Sequence, residues 1–173
     1  MPKPSKPRLP NLERTLIVLK PDAIKRGIIG EILSRFEKAG LKIVAMKMVW
    51  IDKDLAGKHY DEDLAKRRGE HVRQYNIDFI TQGPTVVAVL EGIGAIENVR
   101  KMVGDTEPKS AKPGTIRGDY SHVSYDYCNK QGVVTKNIIH ASSDTDFASR
   151  EIALWFAIDE IHDYKRSDED VMF

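Results

Sequence analysis

The sequence predicts an α+β fold: a four-stranded antiparallel sheet with helices packed on one face and an extra helical hairpin inserted between strands. Two observations carry this. Apolar runs rich in β-formers stand at residues 15–19, 41–51, 85–90 and 133–140. Between them lie segments whose apolar residues recur at the helical period. A chain of 173 residues is also of a size to fold around one core.

The elements follow in order. Thr15-Leu16-Ile17-Val18-Leu19 is a short strand, ended by Lys20-Pro21-Asp22. Ile29, Leu33 and Phe36 then form a helical stripe that Gly40 closes. Residues 41–51 make the second strand. Residues 55–68 and 70–81 read as the inserted helical pair, broken at Gly69, with Val72, Tyr75 and Phe79 on one face of the second helix. Gly83-Pro84 introduces the third strand at 85–90, and residues 95–103 form a short helix stopped by Gly104. A long loop is expected from 105 to 132, then the fourth strand at 133–140. Residues 146–156 form the last long helix, with Ala148, Ile152 and Trp155 on its buried stripe. That order is β-α-β, a helical insert, then β-α-β, which is the split βαβ or ferredoxin-like arrangement.

Composition limits the function. The net charge of +1 gives no general attraction to nucleic acid or to an acidic membrane, so an anion site must be local. One cysteine, Cys128, makes no internal disulfide, and the five histidines show no metal-ligand spacing. With no membrane-span or signal-peptide pattern, a cytoplasmic protein is expected. Residues 1–12, rich in proline and basic residues, read as a mobile tail before a single domain at 13–173. The acidic run at 167–170 reads as solvated.

The chemistry concentrates at a few positions. Asn137-Ile138-Ile139-His140 is an apolar run ending on a histidine, which displays an imidazole at a strand end. Neutral imidazole is a ready nucleophile near pH 7. Lys20, Arg100, Thr106 and Arg117 sit at element ends or in loops and suit phosphate oxygens. The turn residues of Lys112-Pro113-Gly114-Thr115-Ile116-Arg117-Gly118-Asp119 would fix Arg117 in space. No G-x-x-x-x-G-K-[ST] loop is present, so phosphate would be held by side chains rather than by a backbone cradle. Glu151 falls beside the buried stripe of its helix, and a carboxylate there needs a partner, for which His140 is suited.

These residues carry a resemblance. Residues 15–23, His59-Tyr60, Gly83-Pro84, 100–108, 112–119, 137–142 and 151–156 together resemble the nucleoside diphosphate kinase family. The resemblance implies a ferredoxin-like fold and transfer of a γ-phosphoryl group from a nucleoside triphosphate to a nucleoside diphosphate. It also implies a ping-pong phosphohistidine mechanism, Mg²⁺ bound through the nucleotide phosphates, and a homo-oligomer, either hexamer or tetramer. Carried onto this sequence, it makes His140 the nucleophile, with Glu151 bonded to the far imidazole nitrogen. Lys20, Tyr60, Arg100, Thr106, Arg117 and Asn137 would surround phosphates and sugar, and Ser142 would donate to the histidine site or to a phosphate oxygen.

The sequence also departs from the family pattern. Ala141-Ser142-Ser143-Asp144 stands where Gly-Ser-Asp-Ser is usual, so Ser143 or Asp144 replaces the family aspartate. The base-stacking aromatic pair is missing, leaving Val72 or Tyr75 as substitutes, and the 119–136 loop is longer than the common form. An RNA-binding domain of the same fold would need an aromatic-rich base-stacking strand, which this chain lacks. A silent nucleotide sensor would not need both His140 and Glu151.

Overall fold

The computed structural model describes residues 10–172. The chain order is β1 (Leu12–Leu19), α1 (Pro21–Lys25), α2 (Ile29–Lys38), β2 (Lys42–Val49), α3 (Lys53–His59), α4 (Glu62–Arg68) and α5 (Glu70–Ile80). It continues with β3 (Thr85–Ile93), α6 (Ala95–Val103), α7 (Ile116–Tyr120), α8 (Tyr125–Gln131), β4 (Ile139–Ala141), α9 (Thr145–Trp155) and α10 (Glu169–Met172). The four strands form one antiparallel sheet in the order β2-β3-β1-β4, the expected split βαβ topology.

Strand alternation divides the core into two layers. Ile17, Leu19, Val86, Ala88 and Leu90 face α2 and α6, where they meet Ile32, Phe36, Val99 and Val103. These are the two crossover helices, on one face as expected. Leu16, Val18, Val87 and Val89 point the other way, onto Ala56, Ile77, Ile80 and Trp155 of α3, α5 and α9. The helical insert and the last helix therefore cover the second face, which the one-sided expectation had left bare. The central strands need that cover, because their side chains are apolar in both directions.

Several boundaries are corrected. β1 begins at Leu12, paired with Ile93, so the domain takes in a residue assigned to the 1–12 tail. Pro10 and Asn11 form a turn whose Asn11 carbonyl accepts from the Gly94 N–H at 3.0 Å, and the rest of the tail expectation falls on residues 1–9, which lie outside the described residues. The helix expected at 55–68 is two: α3 ends at His59, and Asp61 caps a new helix by accepting from the Asp63 N–H at 3.1 Å. On α5 the buried residues are Ile77, Phe79 and Ile80, while Val72 and Tyr75 face a cleft. The loop at 105–132 contains α7 and α8, capped by Thr115 and Ser124. The fourth strand is three residues rather than eight, because the chain turns sharply at Ile138 (φ 72°). The acidic run at 167–170 is partly docked, since Arg166 donates to the Leu41 carbonyl and Lys42 pairs with Glu169 at 3.1 Å. No helix among the described residues is long and apolar enough to cross a membrane.

Candidate active site

One cleft of about 1150 Å³ opens at the end of β1 and β4. It is lined by Lys20, Tyr60, Arg100, Thr106, Arg117, Asn137, His140 and Glu151, all of them anticipated from the sequence.

His140 is the central residue of β4 and pairs with Val18 of β1, so main-chain bonds fix its backbone. Its Nε2 lies 3.0 Å from each oxygen of Glu151. A carboxylate only accepts, so Nε2 carries the proton and Nδ1 keeps its lone pair. Glu151 is buried on α9, and Ser142 donates to its Oε2 at 2.6 Å. Burial alone would raise the Glu151 carboxyl. The field and hydrogen bond of His140, with the Ser142 bond, outweigh it and hold the group down at about 2. Ser142 is fully buried, with its hydroxyl on Glu151.

His59 was legible only as half of a His-Tyr pair. Its ring meets that of His140 edge-on with centroids 4.5 Å apart. Trp155 donates to its Nδ1 at 3.3 Å, and burial drives its pKa down to about 3, so it stays neutral. Tyr60 is buried beside it, and desolvation pushes its phenol up, keeping the hydroxyl protonated.

The cations are held in contrasting ways. Lys20, directly after β1, is buried and donates to Asn137 Oδ1 at 2.8 Å. Burial lowers its ammonium to about 8, with Asp22 opposing the shift and Arg117 adding to it. Arg117 leaves the first turn of α7 and donates to the carbonyls of Asn137 (3.2 Å), Gly104 (2.9 Å) and Ile139 (2.6 Å). Burial lowers its guanidinium to about 10, so it remains charged at neutral pH. Two of its five N–H groups remain for the cleft. Arg100 and Thr106 are exposed on the cleft wall, and the Thr106 carbonyl accepts from Asn137 Nδ2 at 2.9 Å.

The turn that presents Arg117 is tight. Thr115 Oγ1 donates to the Lys112 carbonyl at 2.6 Å and accepts from the Gly118 N–H at 3.1 Å. A Cβ on Gly118 would lie 2.1 Å from that carbonyl oxygen, so only glycine fits. Gly118→Ala is expected to cost about 1–3 kcal/mol, the range for overpacking, and to lower turnover by moving Arg117. Thermal unfolding and kcat on the same sample check this, and an unchanged melt would show that the turn yields.

Ser143 and Asp144 both line the cleft. Asp144 caps α9 by accepting from the Phe147 N–H at 2.9 Å, and Ser143 Oγ donates to its Oδ2 at 2.7 Å. The cleft wall also includes Leu64, Val72, Tyr75, Val133 and Val134, with the amides Asn76 and Asn129. The Asn129 side of this wall comes from the long 119–136 segment, whose place over the cleft the sequence did not reveal.

Buried positive charge suits phosphate, and an unblocked imidazole nitrogen beside it suits transfer of that phosphate. The class is a phosphotransferase. A family model described as nucleoside diphosphate kinase matches residues 13–161, and the chain belongs to that family. It is 50% identical to the nucleoside diphosphate kinase of Borreliella burgdorferi over 159 residues, covering 91% of this chain and 95% of that one. It is 54% identical to the enzyme of Pyrococcus furiosus over 153 residues, 88% of each chain. Among solved structures it is similar to a transition state mimic of the Borrelia burgdorferi enzyme with vanadate and ADP. There the TM-score is 0.90 at 49% identity, covering 92% of this chain and 95% of that chain. A halophilic nucleoside diphosphate kinase from Halobacterium salinarum in complex with CDP matches with a TM-score of 0.81 at 38% identity, covering 93% of this chain and 98% of that chain. The activity is transfer of the terminal phosphoryl group from a nucleoside triphosphate to a nucleoside diphosphate, by a ping-pong route through phosphohistidine.

Proposed function

We propose that His140 Nδ1 is the atom that carries the phosphoryl group, with Lys20, Tyr60, Arg100, Thr106, Arg117 and Asn137 holding the nucleotide. The observation that carries this reading is the grip of both Glu151 oxygens on His140 Nε2, which leaves Nδ1 as the unengaged ring nitrogen of a side chain that lines the cleft. The Nδ1 lone pair forms the N–P bond as the γ-phosphorus separates from the bridging oxygen, and the nucleoside diphosphate leaves. Positive charge then grows on the ring, where Glu151 stabilises it. A second diphosphate attacks the same phosphorus with its terminal oxygen and regenerates the imidazole. Exposing the protein to γ-labelled ATP with no acceptor tests this. One label per chain is expected, discharged as GTP by unlabelled GDP. Transfer that needs both nucleotides bound together would overturn the covalent route.

Mg²⁺ enters with the nucleotide in this reading. Among the described residues, the group spaced to ligate an ion is His59, His140 and Glu151. Its donors are largely nitrogen, with His59 Nδ1 bonded to Trp155 and Glu151 to Ser142 and His140, and even with His59 Nε2 unpaired such a set does not fit a hard cation that prefers oxygen and water.

The apolar part of the cleft wall, with Val72 or Tyr75 as the stacking residue, supports weak discrimination among bases, since stacking differs little between them. Comparable kcat/KM for adenine, guanine, cytosine and uracil diphosphates is the expected result. A preference on the order of 10⁴ would mean that Asn76 or Asn129 reads a base edge.

A homo-oligomer, hexamer or tetramer, working in the cytoplasm completes the proposal. β2 is an edge strand that displays Met46 and Met48, with Trp50 just past its end, at 54%, 56% and 69% exposure. Such an edge suits pairing with a second copy. Met48→Lys is expected to reduce the assembled fraction in sedimentation, and an unchanged profile would move the interface elsewhere.

A further inference from the structure

Asp22 has no part in the chemistry described so far, yet it is a buried carboxylate beside the site. It lies in the first turn of α1, two residues past Lys20. Its Oδ2 accepts from the Ile138 N–H at 3.0 Å, and its buried Oδ1 has no hydrogen-bond partner.

The turn it grips is strained. Ile138 is fully buried with φ 72°, a left-handed conformation that β-branched residues avoid. The Ile139 N–H closes on the Asn137 carbonyl at 2.7 Å, making a three-residue turn of a rarely populated kind. The peptide between Asn137 and Ile138 is therefore clamped on both sides. Its N–H meets the Asp22 carboxylate, and its carbonyl accepts from Arg117 Nε at 3.2 Å. The Ile138 carbonyl in turn accepts from the Lys20 N–H at 2.8 Å. This conformation aims Asn137 at Lys20 Nζ and sets the start of β4, two residues before His140.

We propose that Asp22 is a positioning residue for phosphoryl transfer: its carboxylate holds the left-handed Ile138 turn in place and keeps Lys20 charged at the phosphate end of the cleft. The proposal rests on the reading that Lys20 and Asn137 bind the nucleotide phosphates. Other groups also act on Lys20 or share its cleft. His59 and Tyr60 stand at the end of α3, Arg100 on α6, Arg117 on α7, Asn137 and His140 at β4, and Glu151 on α9. The Tyr60 ring centroid is 5.9 Å from the Lys20 ammonium. Of the charged groups credited with shifting Lys20, Asp22 favours the ammonium and Arg117 opposes it.

Two variants separate the charge from the hydrogen bond. Asp22→Asn keeps an acceptor for the Ile138 N–H and removes the charge. Asp22→Glu keeps the charge and displaces the carboxylate. For the wild type, kcat/KM is expected to fall as pH rises through the Lys20 value of about 8. In Asp22→Asn that fall is expected about one pH unit lower, a tenfold loss at pH values above it. In Asp22→Glu the fall stays in place while kcat drops. A purely structural Asp22 would lower both variants' stability and leave the pH at which activity falls unmoved, which overturns the proposal. Should neither variant fold, NMR titration of ¹³C-labelled lysine in the unmutated enzyme decides it, because a Lys20 already neutral at about pH 7 would show that Asp22 does not keep it charged, which overturns the proposal as well. Lys20→Ala separates the two readings. Undiminished turnover there removes the phosphate reading, whereas a crippled Lys20→Ala beside a normal Asp22→Asn removes only this inference.

Discussion

His140→Ala is expected to abolish phosphoryl labelling by γ-labelled ATP while leaving a folded protein that still binds nucleotide. The fold is expected to survive because β4 is held by main-chain pairing of residues 17–19 with 139–141, which alanine can maintain. Lys20, Arg100 and Arg117 all remain in the cleft to hold phosphates. Glu151 loses its imidazole partner but keeps the Ser142 hydroxyl at 2.6 Å. Its pKa is expected to rise from about 2, because burial then acts with less opposition. In the unmutated protein the label is expected to be acid-labile and base-stable, as for phosphate on nitrogen. Label on a serine, or comparable transfer by the mutant, would show that another nucleophile operates.

Arg117→Ala is the second large effect. The guanidinium ties the carbonyls of Gly104, Asn137 and Ile139 together and, as part of the cleft wall, keeps two further N–H groups. Removing a charged donor aimed at the transferring group costs about 10²–10³ in kcat. Leaving buried carbonyls unpaired costs about 1–3 kcal/mol for each group. Arg117→Lys keeps the charge but cannot reach three carbonyls in one plane, so it is expected to fall between wild type and alanine in both respects. Steady-state kcat and thermal unfolding of the two variants separate the contributions. Near-normal turnover in folded Arg117→Ala would remove Arg117 from the site.

The electrostatics of the cleft follow from burial as much as from residue type. Lys20 and Arg117 are both displaced downward by desolvation, which makes them stronger acids, easier to neutralise, but also stronger partners for an incoming phosphate while they stay charged. The buried Glu151 is displaced the opposite way from what burial favours, because His140 and Ser142 both bind its ionised form. The site therefore keeps a carboxylate and two cations charged in a partly dry cleft, each with named partners.

Local pattern determined much of this protein by itself. Continuous apolar runs in β1 and β3, the helical stripes of α2 and α9, and glycines at 40 and 104 specify the sheet and its main helices, because these signals act through local backbone geometry. Residue chemistry marked His140, Glu151, Lys20, Arg100, Thr106 and Arg117, and motif resemblance added Tyr60, Asn137 and Ser142. Tertiary structure decided the rest. The 133–140 run looks like a strand, yet the Asp22 carboxylate takes the Ile138 N–H across 116 residues and turns the chain before the sheet resumes. The covering of the second sheet face, the contact of His59 with His140, and the 119–136 segment over the cleft likewise depend on partners far away in sequence. Local pattern sets which backbone conformations are cheap. Which buried donor meets which acceptor is settled only when the elements pack, and that pairing orients the His140 imidazole through Glu151 and Ser142.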